Sequence, residues 1–168
     1  MNRALAVVDA IEKALIATFA ALALLLACMA MTARYLLVDL TLDWAFDVTI
    51  FLTIWATFLA GARIAGQGGH VRVDTALALL PARSRLFLIV MAGLAGIALA
   101  LFLLWSGILV VEQAYRWDER TASTLRIPLW IYYTSLPAGM ALLAFHLVVR
   151  TTMILSGKVR DEFGKHEF

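Results

Sequence analysis

The sequence predicts an all-α membrane protein with four transmembrane helices. Of its 168 residues, 63% are hydrophobic and 15% are charged, and its mean hydropathy is +0.89. Soluble domains are only roughly 45 to 50% apolar and about 25% charged. Four largely uncharged runs approach or exceed the ~20 residues that a helix needs to cross a bilayer, and they are too long for the ~10-residue strands of a membrane barrel. We predict one membrane domain over residues 1–168, with spans at about 14–33, 44–62, 86–111 and 127–149.

Charged residues define the ends of the first three spans. The first lies between Lys13 and Arg34, the second ends before Arg63, and the third ends before Glu112. The second span is shorter than the others and contains Asp47 one helical turn inside its start. The third is longer than the hydrocarbon layer requires, so it should tilt or project beyond the layer.

The fourth span contains two prolines. Pro128 suits the first turn of a helix, because its missing N–H would be unpaired there in any case. Pro137 lies mid-span and should kink the helix. Membrane helices tolerate such breaks where neighbouring groups pair with the freed carbonyl.

The distribution of lysine and arginine predicts that both termini are cytoplasmic. The connections on the cytoplasmic side of a membrane protein carry more of these residues than those on the opposite side. Four of the 14 basic residues fall on the predicted periplasmic side and the other ten on the cytoplasmic side. The four are Arg34, Arg116, Arg120 and Arg126, and the ten are Arg3, Lys13, Arg63, Arg72, Arg83, Arg85, Arg150, Lys158, Arg160 and Lys165.

The segment between the second and third spans mixes glycines and polar residues with leucines at helical spacing. Its distinguishing residues are His70, Arg72, Asp74, Leu77 and Leu80. This pattern predicts a short amphipathic helix on the cytoplasmic membrane surface. A plain connecting loop is the alternative.

The single cysteine, Cys28, excludes an internal disulfide framework and any cysteine-based metal centre. The residues before it loosely resemble a lipoprotein cleavage site. The apolar run continues past Cys28 to a full span length, which favours a retained helix. With a net charge of +2 and no basic cluster, the chain has no sign of a nucleic-acid partner.

Few residues offer chemistry. Asp47 lies one turn inside the second span and Glu112 lies at the end of the third. Structural or inter-subunit pairing is the preferred interpretation of both, with ion or proton transport as the alternative. A haem between helices would need His70 and His146 to converge at one depth. No catalytic triad, phosphate loop or metal-ligand cluster is present at a useful spacing, so we predict neither enzyme activity nor a cofactor.

Small residues recur every four positions in two spans. This spacing places them on one helix face, where they permit close helix contacts in lipid. Packing among the four helices of the chain could bury one such face. Because there are two, the second is available to contact a partner protein. Leu52 is expected to lie outside the first stripe and to face outward. The stripes comprise Thr49, Thr53, Thr57 and Gly61 in the second span, and Ala92, Gly96 and Ala100 in the third.

The order of several motifs resembles the small membrane subunit, the Q subunit, of tripartite ATP-independent periplasmic (TRAP) transporters. The resemblance covers roughly residues 35–149. Two positions depart from the family pattern: Asp47 stands where a glutamate is usual, and Ile50 stands where an arginine is frequent. The motifs are Trp44-Ala45-Phe46-Asp47, Trp55, Gly61-Ala62-Arg63, Gly69-His70-Val71-Arg72-Val73-Asp74, Leu80-Pro81 with Arg83, Ile127-Pro128-Leu129-Trp130-Ile131-Tyr132-Tyr133, and Pro137-Ala138-Gly139.

This resemblance implies a function that depends on partners in the bacterial inner membrane. In the family, a periplasmic protein captures an organic acid and a large membrane subunit carries it inward, driven by sodium. The small subunit braces the stationary scaffold, so sodium is expected in the large subunit. Asp47 and the two small-residue stripes are the candidate contacts with that subunit. The candidate contacts with the binding protein are Asp39, Asp43, Arg116, Asp118 and Arg120.

Two other classes of membrane protein also have four helices. A small multidrug-type proton antiporter needs a buried acid, and the central part of the first span has none. A membrane anchor of an oxidoreductase, with or without haem, is the second alternative. The four spans are expected to contain no buried charge and no paired broken helices of the kind that form transport sites.

Overall fold

The computed structural model describes residues 3–36, 42–66 and 82–155. These residues form three long helices, α1 (Arg3–Leu36), α2 (Asp43–Gly66) and α3 (Ala82–Arg116), followed by the single-turn α4 (Leu129–Tyr133) and by α5 (Ser135–Leu155). Within these ranges, four helical segments are long and apolar enough to cross a membrane, because α4 and α5 together supply the fourth. The all-α fold with four transmembrane helices is thereby confirmed.

The helices extend beyond the spans that their charges delimit. α1 begins well before Lys13, and α3 continues past Glu112 to Arg116. In both extensions, oppositely charged side chains pair one turn apart: Lys13 with Asp9, and Arg116 with Glu112. Such pairs stabilise a helix that projects into the headgroup region. At ~1.5 Å per residue, the 35 residues of α3 span about 52 Å, which exceeds the ~30 Å hydrocarbon layer.

The fourth span is broken at Thr134, between α4 and α5. This interruption lies three residues before Pro137, where the sequence predicts a kink. Pro137 cannot donate to the carbonyl four residues earlier, and its ring crowds that carbonyl. Hydroxyl groups bond to two nearby carbonyls: Thr134 Oγ1 donates to the Trp130 oxygen and Ser135 Oγ to the Tyr132 oxygen, each at 2.6 Å.

The long helices pack in the spatial order α1, α2, α5, α3. Among the described residues, α3 makes no extensive contact with α1 or α2. The buried hydrophobic positions are nearly all alanines, including Ala45, Ala62, Ala100 and Ala114. Large apolar side chains such as Phe102 and Trp105 point outward. This distribution is typical of membrane helices, in which small residues allow close packing and large ones face lipid.

Glycines mark the closest helix contacts. A Cβ at Gly139 of α5 would lie 2.8 Å from Phe58 Cβ and 3.3 Å from the Phe58 carbonyl oxygen in α2. A Cβ at Gly93 of α3 would lie 2.8 Å from Thr151 Oγ1 of α5. Because these glycines have no side chain, α2 and α3 can approach α5 from two sides.

The connection from α3 to α4 is a short hairpin. Leu129 N donates to the Glu119 oxygen at 2.8 Å, and Thr121 N donates to the Ile127 oxygen at 3.0 Å. Asp118 and Arg126 have positive φ angles of 46° and 44°, a conformation that reverses the chain tightly at each end of the hairpin. The connection is therefore an ordered loop at one end of the helix row.

Candidate functional site

The exposed positions of α2 lie on one face of the helix. Successive members are three or four residues apart, or seven between the second and third, so they lie above one another along the helix. Residues on the other faces are buried or half-buried against α1, α4 and α5. This face, which we call the α2 outer face, comprises Asp43, Phe46, Thr53, Thr57, Gly61 and Ile64.

Most of the threonine stripe predicted from the sequence lies on the α2 outer face. Thr53, Thr57 and Gly61 are exposed, and Thr49 is half-buried at its edge. A Cβ at Gly61 would meet no atom of the chain within 4 Å. Most of the stripe is therefore not buried against other helices of the chain.

The threonine hydroxyls of this stripe are satisfied within α2. Thr49, Thr53 and Thr57 each donate to the carbonyl four residues earlier, at 2.8 Å. Because these hydroxyls are bonded within the helix, none of them requires a hydrogen-bond partner from lipid. The part of the α2 outer face formed by Thr53, Thr57 and Gly61 therefore consists of small residues, which suits close contact with another helix.

Two adjoining grooves run between α1 and α2 beside this face. The first, about 550 Å³, is lined by Ala30, Arg34 and Phe46 among others. The second, about 480 Å³, is lined by small residues that include Thr53 and Thr57. Ala27 and Thr49 line both grooves, so together they form a continuous depression along the two helices.

Two expectations about the surface need revision. Leu52 does not face outward, because its residue is only 8% exposed and packs within the chain. Gly96, assigned to a partner surface by its spacing, approaches α5 of the same chain, with its Cβ position 3.2 Å from Leu147 Cδ1. Ala92 is exposed and Ala100 is buried. The second stripe therefore contributes to the α3–α5 contact, which spacing alone could not distinguish from a partner contact.

Asp47 is half-buried beside α4. Its Oδ2 atom is buried and has no hydrogen-bond partner within the described part of the chain. Its backbone oxygen accepts a hydrogen bond from the Tyr132 hydroxyl at 2.8 Å. A buried carboxylate oxygen without a donor is costly, so Asp47 is a position where a partner could supply one.

The start of α2 meets the α3–α4 hairpin. Asp43 Oδ1 accepts a hydrogen bond from Thr124 Oγ1 at 2.8 Å, and Asp43 Oδ2 accepts one from Thr124 N at 3.1 Å. Arg116, Asp118 and Arg120 lie on or next to the same hairpin. Four of the five predicted binding-protein contacts are thus brought to one end of the molecule. Asp39 lies outside the described residues.

The charges at this end are paired with one another. Arg120 bonds Asp118 at 2.9 Å, and Arg116 bonds Glu112. The hydrogen bond from Arg120 lowers the pKa of the Asp118 carboxyl below its usual value, and the neighbouring carboxylate raises the pKa of the Arg120 guanidinium. Asp118 therefore stays ionised at neutral pH, and the surface presents both signs of charge.

The opposite end of the helix row holds a second polar cluster, and the expectation of no buried charge was wrong there. Asp9 binds Lys13 at 2.7 Å and Arg63 of α2 at 2.8 Å. Glu12 is 4% exposed and contacts His146 of α5. Asp9 and Glu12 lie three residues apart on one helix face, a signal that was available in the sequence. Only the tertiary structure identifies their partners.

The remaining sequence predictions concern residues outside the described ranges. The predicted interfacial helix, with His70, Arg72, Asp74, Leu77 and Leu80, falls there, as does one of the two histidines of the haem alternative. The other, His146, bonds Glu12. Among described residues, no group of three or more His, Cys, Asp or Glu side chains could hold a metal ion.

These features define a class of protein: a multi-pass membrane protein with surfaces suited to helix docking. Residues 23–156 match the family model for the DctQ component of tripartite ATP-independent periplasmic transporters. The chain therefore belongs to this family, and the resemblance in its motifs is confirmed. Members of the family are transporter components, so the chain is not an enzyme, as predicted. The antiporter and oxidoreductase alternatives are not favoured.

Three relatives agree with this assignment. The chain is 27% identical, over 95% of its length and 77% of the relative, to the C4-dicarboxylate TRAP transporter small permease protein DctQ of Vibrio cholerae. It is 28% identical to the protein of the same name from Rhodobacter capsulatus, over 65% of the chain and 48% of that protein. It is also 26% identical to the isethionate TRAP transporter permease protein DctMQ of Oleidesulfovibrio alaskensis, over 70% of the chain and 18% of that protein.

Proposed function

We propose that this TRAP small permease stabilises the stationary scaffold of a large elevator-type subunit during sodium-driven uptake of an organic acid. The observation that carries the proposal is the α2 outer face, where the small residues Thr53, Thr57 and Gly61 are exposed and the Cβ position of Gly61 meets no atom of the chain within 4 Å. Small faces pack closely against other helices in lipid. We propose that the partner packed against this face is a helix of the large membrane subunit.

The relatives support both the partner and the class of cargo. The small component of the family works with a large one, and the name DctMQ in Oleidesulfovibrio alaskensis joins the two components in one protein. The relatives are named as transporters of C4-dicarboxylates and of isethionate, which are organic anions. We extend the same chemical class to the cargo of this system, with cargo and sodium bound outside this chain.

The end of the molecule formed by Asp43 and the α3–α4 hairpin is the proposed contact for a periplasmic binding protein. Its exposed charges of both signs, from Asp118, Arg120 and Arg116, suit the reversible docking of a polar surface. The bacterial inner membrane, with this end in the periplasm, is the location that the proposal requires.

The orientation can be tested by cysteine labelling of intact cells in a Cys28→Ser background. We expect Ala122→Cys in the hairpin to react with a membrane-impermeant thiol reagent, and Gly68→Cys to react only after the membrane is permeabilised. The reason is the ten-to-four distribution of basic residues. Labelling of Gly68→Cys in intact cells would contradict the proposed topology.

The division of labour can be tested by reconstitution in liposomes with an inward sodium gradient. We expect the isolated chain to accumulate no organic acid, because a transport site requires paired broken helices that its spans do not supply. Adding the large subunit and the loaded binding protein should restore uptake. Uptake of cargo by the isolated chain would overturn the assignment of transport to the large subunit.

A further inference from the structure

The first groove between α1 and α2 has a charged mouth. Arg34 lies in the last turn of α1 and Asp43 in the first turn of α2, and both line the groove. The rest of the lining is apolar apart from Thr49, whose hydroxyl bonds within α2. The groove therefore combines one charge of each sign with an apolar cavity of about 550 Å³.

The length of this groove matches one leaflet of a bilayer. Ala27 lies seven residues before Arg34, and Thr49 lies six residues after Asp43. At ~1.5 Å per residue, the lining of each helix extends about 9 to 11 Å from its charged residue. One leaflet supplies about half of the ~30 Å hydrocarbon layer. With Arg34 and Asp43 at the level of the headgroups, the rest of the groove lies beside the acyl chains of that leaflet.

The lining leaves room for an alkyl chain between the helices. Its small residues Ala27, Ala30 and Thr49 are half-buried, whereas its large residues Met31 and Phe46 are 61% and 69% exposed. An alkyl chain gains little by moving from the bilayer into such a groove, because lipid tails are equally apolar. Any preference for one lipid must therefore come from the charged mouth.

The mouth is suited to a headgroup that carries both signs of charge. Arg34 is exposed, and within the described ranges no group bonds its guanidinium. A guanidinium can bond two oxygens of one phosphate. Asp43 accepts hydrogen bonds from Trp44 N, Thr124 N and Thr124 Oγ1. These three bonds leave about one of the roughly four acceptor positions of the carboxylate for a further N–H donor.

We propose that this groove binds a phospholipid of the surrounding membrane whose headgroup is zwitterionic and ends in a primary ammonium, as in phosphatidylethanolamine. Arg34 bonds the phosphate, Asp43 accepts a hydrogen bond from the ammonium, and one acyl chain lies against Ala27 and Ala30. The site belongs to this chain alone, so it does not depend on the proposed transport partner.

Native mass spectrometry of the full chain in detergent can measure this binding. Phosphatidylethanolamine, phosphatidylcholine and phosphatidylglycerol with identical acyl chains are added separately to the delipidated protein. The quaternary ammonium of phosphatidylcholine has no N–H, and phosphatidylglycerol has no ammonium. We therefore expect phosphatidylethanolamine to bind at least about tenfold more tightly than either. Equal affinity for the three lipids would overturn the proposal.

Variants locate the binding in the groove. Arg34→Gln should weaken phosphatidylethanolamine binding at least about tenfold, because it removes the cation that bonds the phosphate. Arg116→Gln is the matched control, since Arg116 pairs with Glu112 on α3, and it should bind like the wild type. Ala30→Phe should also prevent binding by filling the groove, whereas Ala98→Phe at an exposed position of α3 should not. Arg34→Gln changes an exposed side chain, so it tests the site even if Ala30→Phe fails to fold.

The alternative occupant of the groove is a protein helix, from the large subunit or from a second copy of the chain. A photoreactive thiol probe attached to Ala30→Cys in a Cys28→Ser background distinguishes these cases in native membranes. We expect adducts with phospholipid. Adducts with a protein in place of lipid, or lipid binding that Arg34→Gln leaves unchanged, would show that the proposal is wrong.

Discussion

Gly139→Leu should force α2 and α5 apart and strongly destabilise the chain. The added Cβ alone would lie 2.8 Å from Phe58 Cβ and 3.3 Å from the Phe58 carbonyl oxygen. A flexible side chain could move aside, but the backbone of a packed helix cannot. Overpacking of this kind costs about 3 kcal/mol, or a Tm lower by about 6 to 12 °C for a chain of this size.

This prediction can be checked by thermal unfolding and size-exclusion chromatography of the purified chain in detergent. Gly61→Leu is the matched control, because it adds the same side chain to a glycine whose Cβ position meets nothing within 4 Å. It should elute and melt like the wild type. A Gly139→Leu chain with unchanged Tm would show that the α2–α5 contact is not as close as the structure places it.

Gly61→Leu and Thr57→Phe should leave the chain folded but separate it from the large subunit. Both positions lie on the α2 outer face and are exposed. A large side chain there would hold α2 away from the helix of the large subunit. Burying that side chain between helices would not compensate for the lost contacts, because lipid is equally apolar. We expect recovery of the large subunit by affinity purification to fall at least about tenfold, which corresponds to about 1.4 kcal/mol, with a matching loss of sodium-driven uptake.

The control for this experiment is Ala98→Leu, which enlarges an exposed small residue on α3. It should co-purify and transport normally, because Ala98 lies on α3, which makes no extensive contact with α2 among the described residues. If Thr57→Phe complexes also assemble and transport normally, the α2 outer face contacts lipid rather than the large subunit. The melting curve of the isolated variant separates that result from simple misfolding.

Asp47→Asn tests the unpaired carboxylate beside this face. If the large subunit supplies a cation to Asp47 Oδ2, the amide should weaken co-purification, since one partner of a buried charge pair is removed. If no cation is supplied, the neutral amide should leave assembly unchanged or raise the Tm of the chain, because a buried charge without a donor is eliminated.

Sequence alone determined the class of this protein. Long uncharged runs have one stable solution in lipid, the α-helix, because every backbone polar group must be paired within its own segment. Lys13, Arg63 and Glu112 therefore placed the first three spans within α1, α2 and α3. The order of the motifs identified the family, as the match over residues 23–156 confirms.

Tertiary structure decided which surfaces are used within the chain and which are free. Four-residue spacing is the same for Gly61, which is exposed, and for Gly96, which approaches Leu147. The partner of a helix face can be assigned only when the order of the helices in space is known. That order, α1, α2, α5, α3, depends on contacts between segments that are distant in the sequence. The pairing of Glu12 with His146, 134 residues apart, follows from the same order, because buried charges find partners in space and not along the chain.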